Sequence, residues 1–147
     1  MPILRNLSRS VHDVAKSGFA GANVDRYNKA RPSYPKEALD YIVEKVCGGK
    51  PISHVVELGA GTGKFTKVMN ERLLEAGPSF CEKYWATEPS DDFRNSLADL
   101  KIPGVIVMAG TGESIAVPDN SVDVICVAQA FHSVSYTHLT LPTICSV

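Results

Sequence analysis

The sequence predicts an α/β fold in which a parallel sheet lies between two layers of helices. Three observations predict it. Val55-Val56-Glu57-Leu58 is a short apolar strand that runs into Gly59, Gly61 and Gly63, glycines at alternate positions, and then into a helical stretch from about Thr62 to Ala76. Tyr84-Trp85-Ala86-Thr87 is a second strand that ends beside an acid, Glu88. Val122 to Val127 is a near-continuous apolar run, the pattern of a strand covered on both faces of a parallel sheet.

The elements follow in chain order. Residues 1–23 form an N-terminal extension. Arg5, Arg9 and Lys16 alternate there with serines in a faintly transit-peptide-like way, but Asp13 and the lack of a cleavage signal favour a short surface helix. Pro35 suits the first turn of a helix carrying Ala38, Leu39, Ile42 and Val43 and ending near Gly48-Gly49. The first strand and its glycine turn come next. Ser90, after the second strand, can cap a helix that begins at Asp91. Val105 to Met108 reads as a third strand, and the apolar run that follows Pro118-Asp119-Asn120 as a fourth. Right-handed βαβ connections set the first three strands side by side in the order three-two-one.

The glycine turn is the chemically informative feature. Glycines allow a sharp turn with positive φ and close approach of a ligand, and the following helix points its N-terminal amides and positive dipole end at the same place. Such a unit binds a nucleotide-like ligand, unless it is an ordinary βα turn without function. A P-loop is excluded, because Gly63-Lys64 is followed by Phe65 and the position five before Gly63 is Leu58. The dinucleotide fingerprint is excluded too: its last glycine would fall on Lys64 or Thr66. Glu88, at the C-terminal end of the second strand, suits both hydroxyls of a ribose, or is a surface acid at a helix N-terminus.

What remains, Glu57-x-Gly59-x-Gly61-x-Gly63, resembles motif I of the class I S-adenosylmethionine-dependent methyltransferases. Three further segments match that family in order. Ala109-Gly110-Thr111-Gly112-Glu113-Ser114 resembles its G-x-A-E-x-L-P segment, with Gly112 where alanine is commoner and a longer Ile115-Ala116-Val117-Pro118. Ala128-Gln129-Ala130-Phe131-His132 resembles the A-x-A-x-H-W segment after strand four. Upstream, Arg26 to Pro35 resembles the Y-x-x-x-R-P-x-Y-P opening of the type 11 small-molecule group.

The resemblance spans about Val24 to His132. It implies a Rossmann-like class I methyltransferase fold in three α/β/α layers, with strand four beside strand one and the chain truncated after strand four. It implies S-adenosyl-L-methionine as cofactor and a small-molecule methyl acceptor. Gly59, Ala60, Gly61 and Gly63 would shape the cofactor turn, Glu57 would support the charged methionine end, and Glu88 would hold the ribose. Thr111, Gly112 and Glu113 would flank the adenine, and Gln129 would lie near the methionine moiety. Tyr27 and Arg31 would fold over the cleft as part of a lid; otherwise Tyr27 and Tyr34 pack the first helix and Arg31 is solvated. His132 is the base candidate for catalysis, against a packing role. An NAD(P)-binding oxidoreductase fragment and a non-catalytic cofactor-binding module share parts of this pattern and stay open as alternatives.

The tail departs from the family after His132. Val134 to Val147 carries no charged side chain, and its Leu139-Thr140-Leu141 alternation would by itself predict a strand. The codons GTC TCT TAT ACA CAT CTG ACG CTG CCG ACG, which look like a transposon-type sequencing adaptor, translate to Val134 through Thr143. The organisation expected is therefore an N-terminal extension over 1–23, a partial methyltransferase domain over 24–133 and a non-native tail over 134–147. Strand four would stand at an open apolar edge, and this fragment is expected to bind cofactor weakly and to be inactive itself.

Composition mostly excludes. The net charge is −1 with no basic stripe, so no nucleic-acid or anionic-membrane partner is expected. No apolar run approaches a membrane span. Cys47, Cys81 and Cys126 show no paired spacing, which predicts reduced thiols and a cytoplasmic protein. His12, His54 and His132 have no metal-ligand spacing, and the oligomeric state is left open.

Overall fold

A computed structural model describes residues 24–130 and 144–146. The 1–23 extension with its expected helix, His132 and the Leu139–Leu141 alternation lie outside the described residues. The elements are α1 (Val24–Ala30), α2 (Lys36–Tyr41) continued by a wider turn (Ile42–Val46), β1 (Ile52–Leu58), α3 (Lys64–Ala76), β2 (Cys81–Thr87), α4 (Asp91–Asp99), β3 (Val105–Met108), β4 (Val124–Val127) and β5 (Ile144–Ser146). The sheet order is β3-β2-β1-β4-β5, with every pair parallel.

The central strand explains the burial pattern. β1 pairs with β2 on one side and β4 on the other, so Glu57 stands between Ala86 and Cys126. Alternate residues then serve opposite faces. Val55, Tyr84, Ala86, Val124 and Cys126 meet Leu39, Ile42 and Val43 of the α2 region, Phe65, Met69 and Leu73 of α3, and Leu97 of α4. Val56, Leu58, Trp85, Ile125 and Val127 point the other way, where Ile115, Val117 and Val122 cover them. Among the described residues, the helices with buried apolar side chains therefore lie on one face and a loop covers the other. On that loop face the His54 ring lies 4.9 Å from the ring of Trp85.

Local chemistry sets the helix ends. Ser90 Oγ accepts the Phe93 N–H at 3.5 Å, and Asp91 and Asp92 face the positive pole of α4. Pro35 precedes α2 as its cap, with φ −68° and ψ 144°, rather than sitting inside its first turn. The helix expected to run on to Gly48-Gly49 widens at its end: the Cys47 N–H reaches back five residues to the Ile42 carbonyl at 2.9 Å. Adjacent Ile42 and Val43 are thereby both buried.

Strand four does not stand at a bare edge, which differs from the sequence expectation. Ile144–Ser146 pairs with Ile125, Cys126 and Val127 as a short parallel strand. The physical reason is the edge itself. The outer backbone groups of β4 lack partners on that side until a further strand supplies them.

The start of α3 leaves no room for a side chain at Gly63. Its φ is 89°, and a Cβ there would fall 2.4 Å from Leu97 Cδ1, a side chain that is 1% exposed. Gly63→Ala is expected to destabilise by about 2 kcal/mol or more through strain and overpacking. Most of the overpacking part should vanish in a Leu97→Ala background, a coupling of at least about 0.5 kcal/mol by urea denaturation; strictly additive losses would count against the contact.

Candidate functional site

The C-terminal tips of β1, β2 and β4 meet at the glycine turn, and a cleft of about 370 Å³ opens there to solvent. Its walls are Glu57, Gly59, Ala60, Gly61 and Thr62 from the turn, and Lys64 and Phe65 from the start of α3. Arg31, Pro32 and Tyr34 from the upstream segment close it, with Ala128 from the end of β4. The edge of an open parallel sheet is where such folds place ligands.

The turn is fixed at both sides. The Ala60 N–H donates to the Thr87 carbonyl at 2.9 Å, and the Gly61 N–H donates to Glu88 Oε2 at 2.7 Å. Gly59 has φ +66°, and a Cβ on it would stand 2.6 Å from that of Ala130. Glycine is required at 59 on both counts, by conformation and by space. The backbone is thus held open toward the cleft without a side chain in the way.

Two carboxyl groups flank it. Glu57 is 1% exposed, lies among apolar neighbours, and accepts the hydroxyls of Thr66 and Tyr84, both at 2.8 Å on Oε2. Burial pushes its pKa up to about 7, against the lowering effect of those two hydroxyls, and the nearby Glu88 charge adds a small push. The Tyr84 phenol is itself raised well above its usual value, by burial first and the Glu57 charge second. Glu88 is buried, and its Oε1 accepts the Ser90 N–H at 2.8 Å. Desolvation raises its pKa; the Ser90 and Gly61 amides and Arg94 oppose that rise.

Of the residues expected from sequence, Glu57, Gly59, Ala60, Gly61 and Arg31 line the cleft. Glu88 sits behind the turn and holds it. Gly63 is the cap of α3 and packs on Leu97. Thr111 and Ser114 exchange backbone bonds of 3.2 Å around Gly112 and Glu113, a small turn beyond the tip of β3 that is outside the cleft wall. Gln129, with φ +55°, accepts a hydrogen bond from Arg31 Nη1. Tyr27 lies on α1, and His132 is outside the described residues. Among the described residues no group of three His, Cys, Asp or Glu is placed to hold a metal ion.

Sequence reasoning missed Thr62, Lys64 and Asn28. Thr62 Oγ1 donates to Asn28 Oδ1, and the Lys64 ammonium donates to the carbonyls of Asn28 and Arg31. One signal was present: a lysine as the first residue of a helix faces the wrong end of its dipole, with no acid in that turn to offset it.

Comparison with known proteins bears on this geometry. Residues 56–147 match the family described as methyltransferase domain. An uncharacterized methyltransferase of Mycobacterium tuberculosis is 37% identical over 112 residues, 76% of this chain and 40% of that protein. An uncharacterized methyltransferase-like protein of Schizosaccharomyces pombe is 34% identical over 110 residues, 75% of this chain and 40% of that one. The chain thus spans about 40% of the length of these curated relatives. Among solved structures, a proposed type II methyltransferase from Anaeromyxobacter dehalogenans is similar with TM-score 0.54 and 26% identity, over 69% of this chain and 38% of that one. A SAM-dependent methyltransferase from Aquifex aeolicus shares the fold, with TM-score 0.53 and 24% identity over 77% of this chain and 60% of its own.

The Glu57 carboxyl gives stability a pH dependence of definite sign. Unfolded, it ionises near the ordinary 4.5; folded, it keeps its proton to about 7. The folded state therefore binds more protons between these values, and the contribution present below 4.5 is lost as pH rises through 7. The loss should approach about 3 kcal/mol. Glu57→Gln should remove this slope, so urea midpoints at pH 5 and pH 8 should differ less in the variant than in the parent. Parallel profiles would show that burial does not hold the proton.

Proposed function

Because the chain belongs to the class I S-adenosylmethionine-dependent methyltransferases, we propose that this cleft binds S-adenosyl-L-methionine and that the protein transfers its methyl group to a small-molecule acceptor. The observation that carries the reading is the pair of strand-tip acids on one glycine turn, Glu57 in the cleft wall and Glu88 bonded to the Gly61 amide. The residues suit the group: Gly59 and Gly61 put no side chain into the cleft wall, and the Glu57 carboxyl beside them can give up its proton to face a cation.

The cofactor supplies the electrophile, a methyl group on a sulfonium. The chain's own residues bind, orient and exclude water. In this reading Glu57, beside the cleft, meets the ammonium of the methionine end. Glu88 takes the ribose hydroxyls; each carboxylate oxygen can accept more than one hydrogen bond, so its hold on Gly61 and Ser90 survives. Arg31, aligned by Gln129, faces the carboxylate of the methionine end. Thr111, Gly112 and Glu113 flank the adenine. His132 is assigned as the base where the acceptor needs one.

The acceptor site is assigned to sequence beyond the matched 40% of the relatives' length. The tail over 134–147 is assigned a non-native origin, and amplification of the genomic locus tests that: a gene ending after Val147 would refute it. No helix among the described residues is long and apolar enough to cross a membrane. A cytoplasmic site of action is assigned on the unpaired spacing of Cys47, Cys81 and Cys126 in the sequence.

Calorimetric titration with S-adenosylmethionine, S-adenosylhomocysteine and NAD tests the ligand. The first two should bind and NAD should not; the reverse would overturn the reading. Binding near pH 6.5 should also release a proton, since a cation beside Glu57 draws its pKa back down. That release shows as a dependence of the measured heat on the buffer's ionisation enthalpy. Transfer of a labelled methyl group from S-adenosylmethionine into a metabolite extract, with a gene product of the relatives' length, separates an enzyme from a binder.

A further inference from the structure

We propose that Lys64 is a positioning residue that clasps the segment from Asn28 to Arg31 over the cleft and so fixes Arg31 at its mouth. The inference rests on the cofactor assignment above for its functional part, though not for the clasp itself.

Lys64 opens α3, where its charge opposes the positive end of the helix, and no acidic residue of that turn offsets it. Its ammonium instead reaches a second helix. It donates to the carbonyl of Asn28, in the last turn of α1, and to the carbonyl of Arg31, just past the end of that helix. Carbonyls of a final helical turn have no partner within the helix, and a cation there is on the favourable side of the dipole. One ammonium is thus badly placed for its own helix and well placed for its neighbour.

Thr62 reinforces the same junction through its hydroxyl bond to the Asn28 side chain. With its backbone held from below by Lys64, Arg31 extends to Gln129, 98 residues away, across the mouth of the cleft. Gln129 holds a left-handed backbone, φ +55°, which an L side chain adopts at a cost. The strained residue and the misplaced lysine both serve one geometry, the seat of Arg31.

The clasp is read by trypsin under native conditions, independently of any ligand. The bonds after Arg26 and Lys29 lie in exposed positions of α1, and cleavage there requires the helix to open. In the 147-residue chain, Lys64→Met should raise cleavage at these bonds about tenfold, the scale of a lost charge-assisted hydrogen bond. Lys64→Arg, which keeps donors at this position, should stay closer to the parent. Cleavage after Lys67 in α3 should not change. Unchanged rates at Arg26 and Lys29, or an equal rise at Lys67, would overturn the clasp.

The positioning role is read by S-adenosylhomocysteine affinity. Lys64→Met and Arg31→Met should each weaken binding, and the double variant should bind no worse than Arg31→Met alone. Multiplying losses would mean that Lys64 acts on the ligand by itself, which contradicts positioning. If a gene product of the relatives' length ignores S-adenosylhomocysteine, the proposed function falls, and the proteolytic ratios alone decide the clasp.

Discussion

The glycine turn after β1 is built with no spare space, and the rest of the site depends on that constraint. Gly59 is pressed against Ala130, Gly63 against Leu97, and between them the Ala60 and Gly61 amides hang from the tip of β2. Each strand next to β1 therefore touches the same few backbone atoms. The cleft is a by-product of this arrangement, because a turn that excludes side chains from its crowded side also lacks them on its open side. Glu57 then enters as a carboxyl group buried between β1, α3 and β2, kept by the Thr66 and Tyr84 hydroxyls.

How much of this was legible in the sequence depends on the range of the interaction. The strand–turn–helix, the third strand at Val105–Met108 and the Ser90 cap follow from local patterns, and the structure places them where the residues point. The order three-two-one follows from handedness, and strand four beside strand one agrees with the family resemblance. Legibility fails where the partner is distant in the chain. Nothing near Lys64 announces that its ammonium ends at Asn28, and nothing near Gln129 announces Arg31. The three-residue strand at Ile144–Ser146 was not legible either, because its partner, β4, lies about twenty residues upstream.

Glu88 shows why a motif assigns a role incompletely. Its position at the end of β2 reads as a ribose acid, yet in the fold its two oxygens already tie the Gly61 and Ser90 amides. The residue is a structural joint as well as a ligand candidate. The two tasks are compatible because an ionised carboxylate accepts several hydrogen bonds at once. The same double use applies to Arg31, which lines the cleft and also lends its carbonyl to Lys64.

The His54–Trp85 pair lies on the loop-covered face, away from the helices. Trp85 is the chain's single tryptophan, so its indole is a built-in fluorophore with a known address. The indole packs in one cluster with Ile115 and Val117, so its surroundings belong to the loop-covered face. A spectroscopist thereby gains an intrinsic optical probe seated on that side of the sheet.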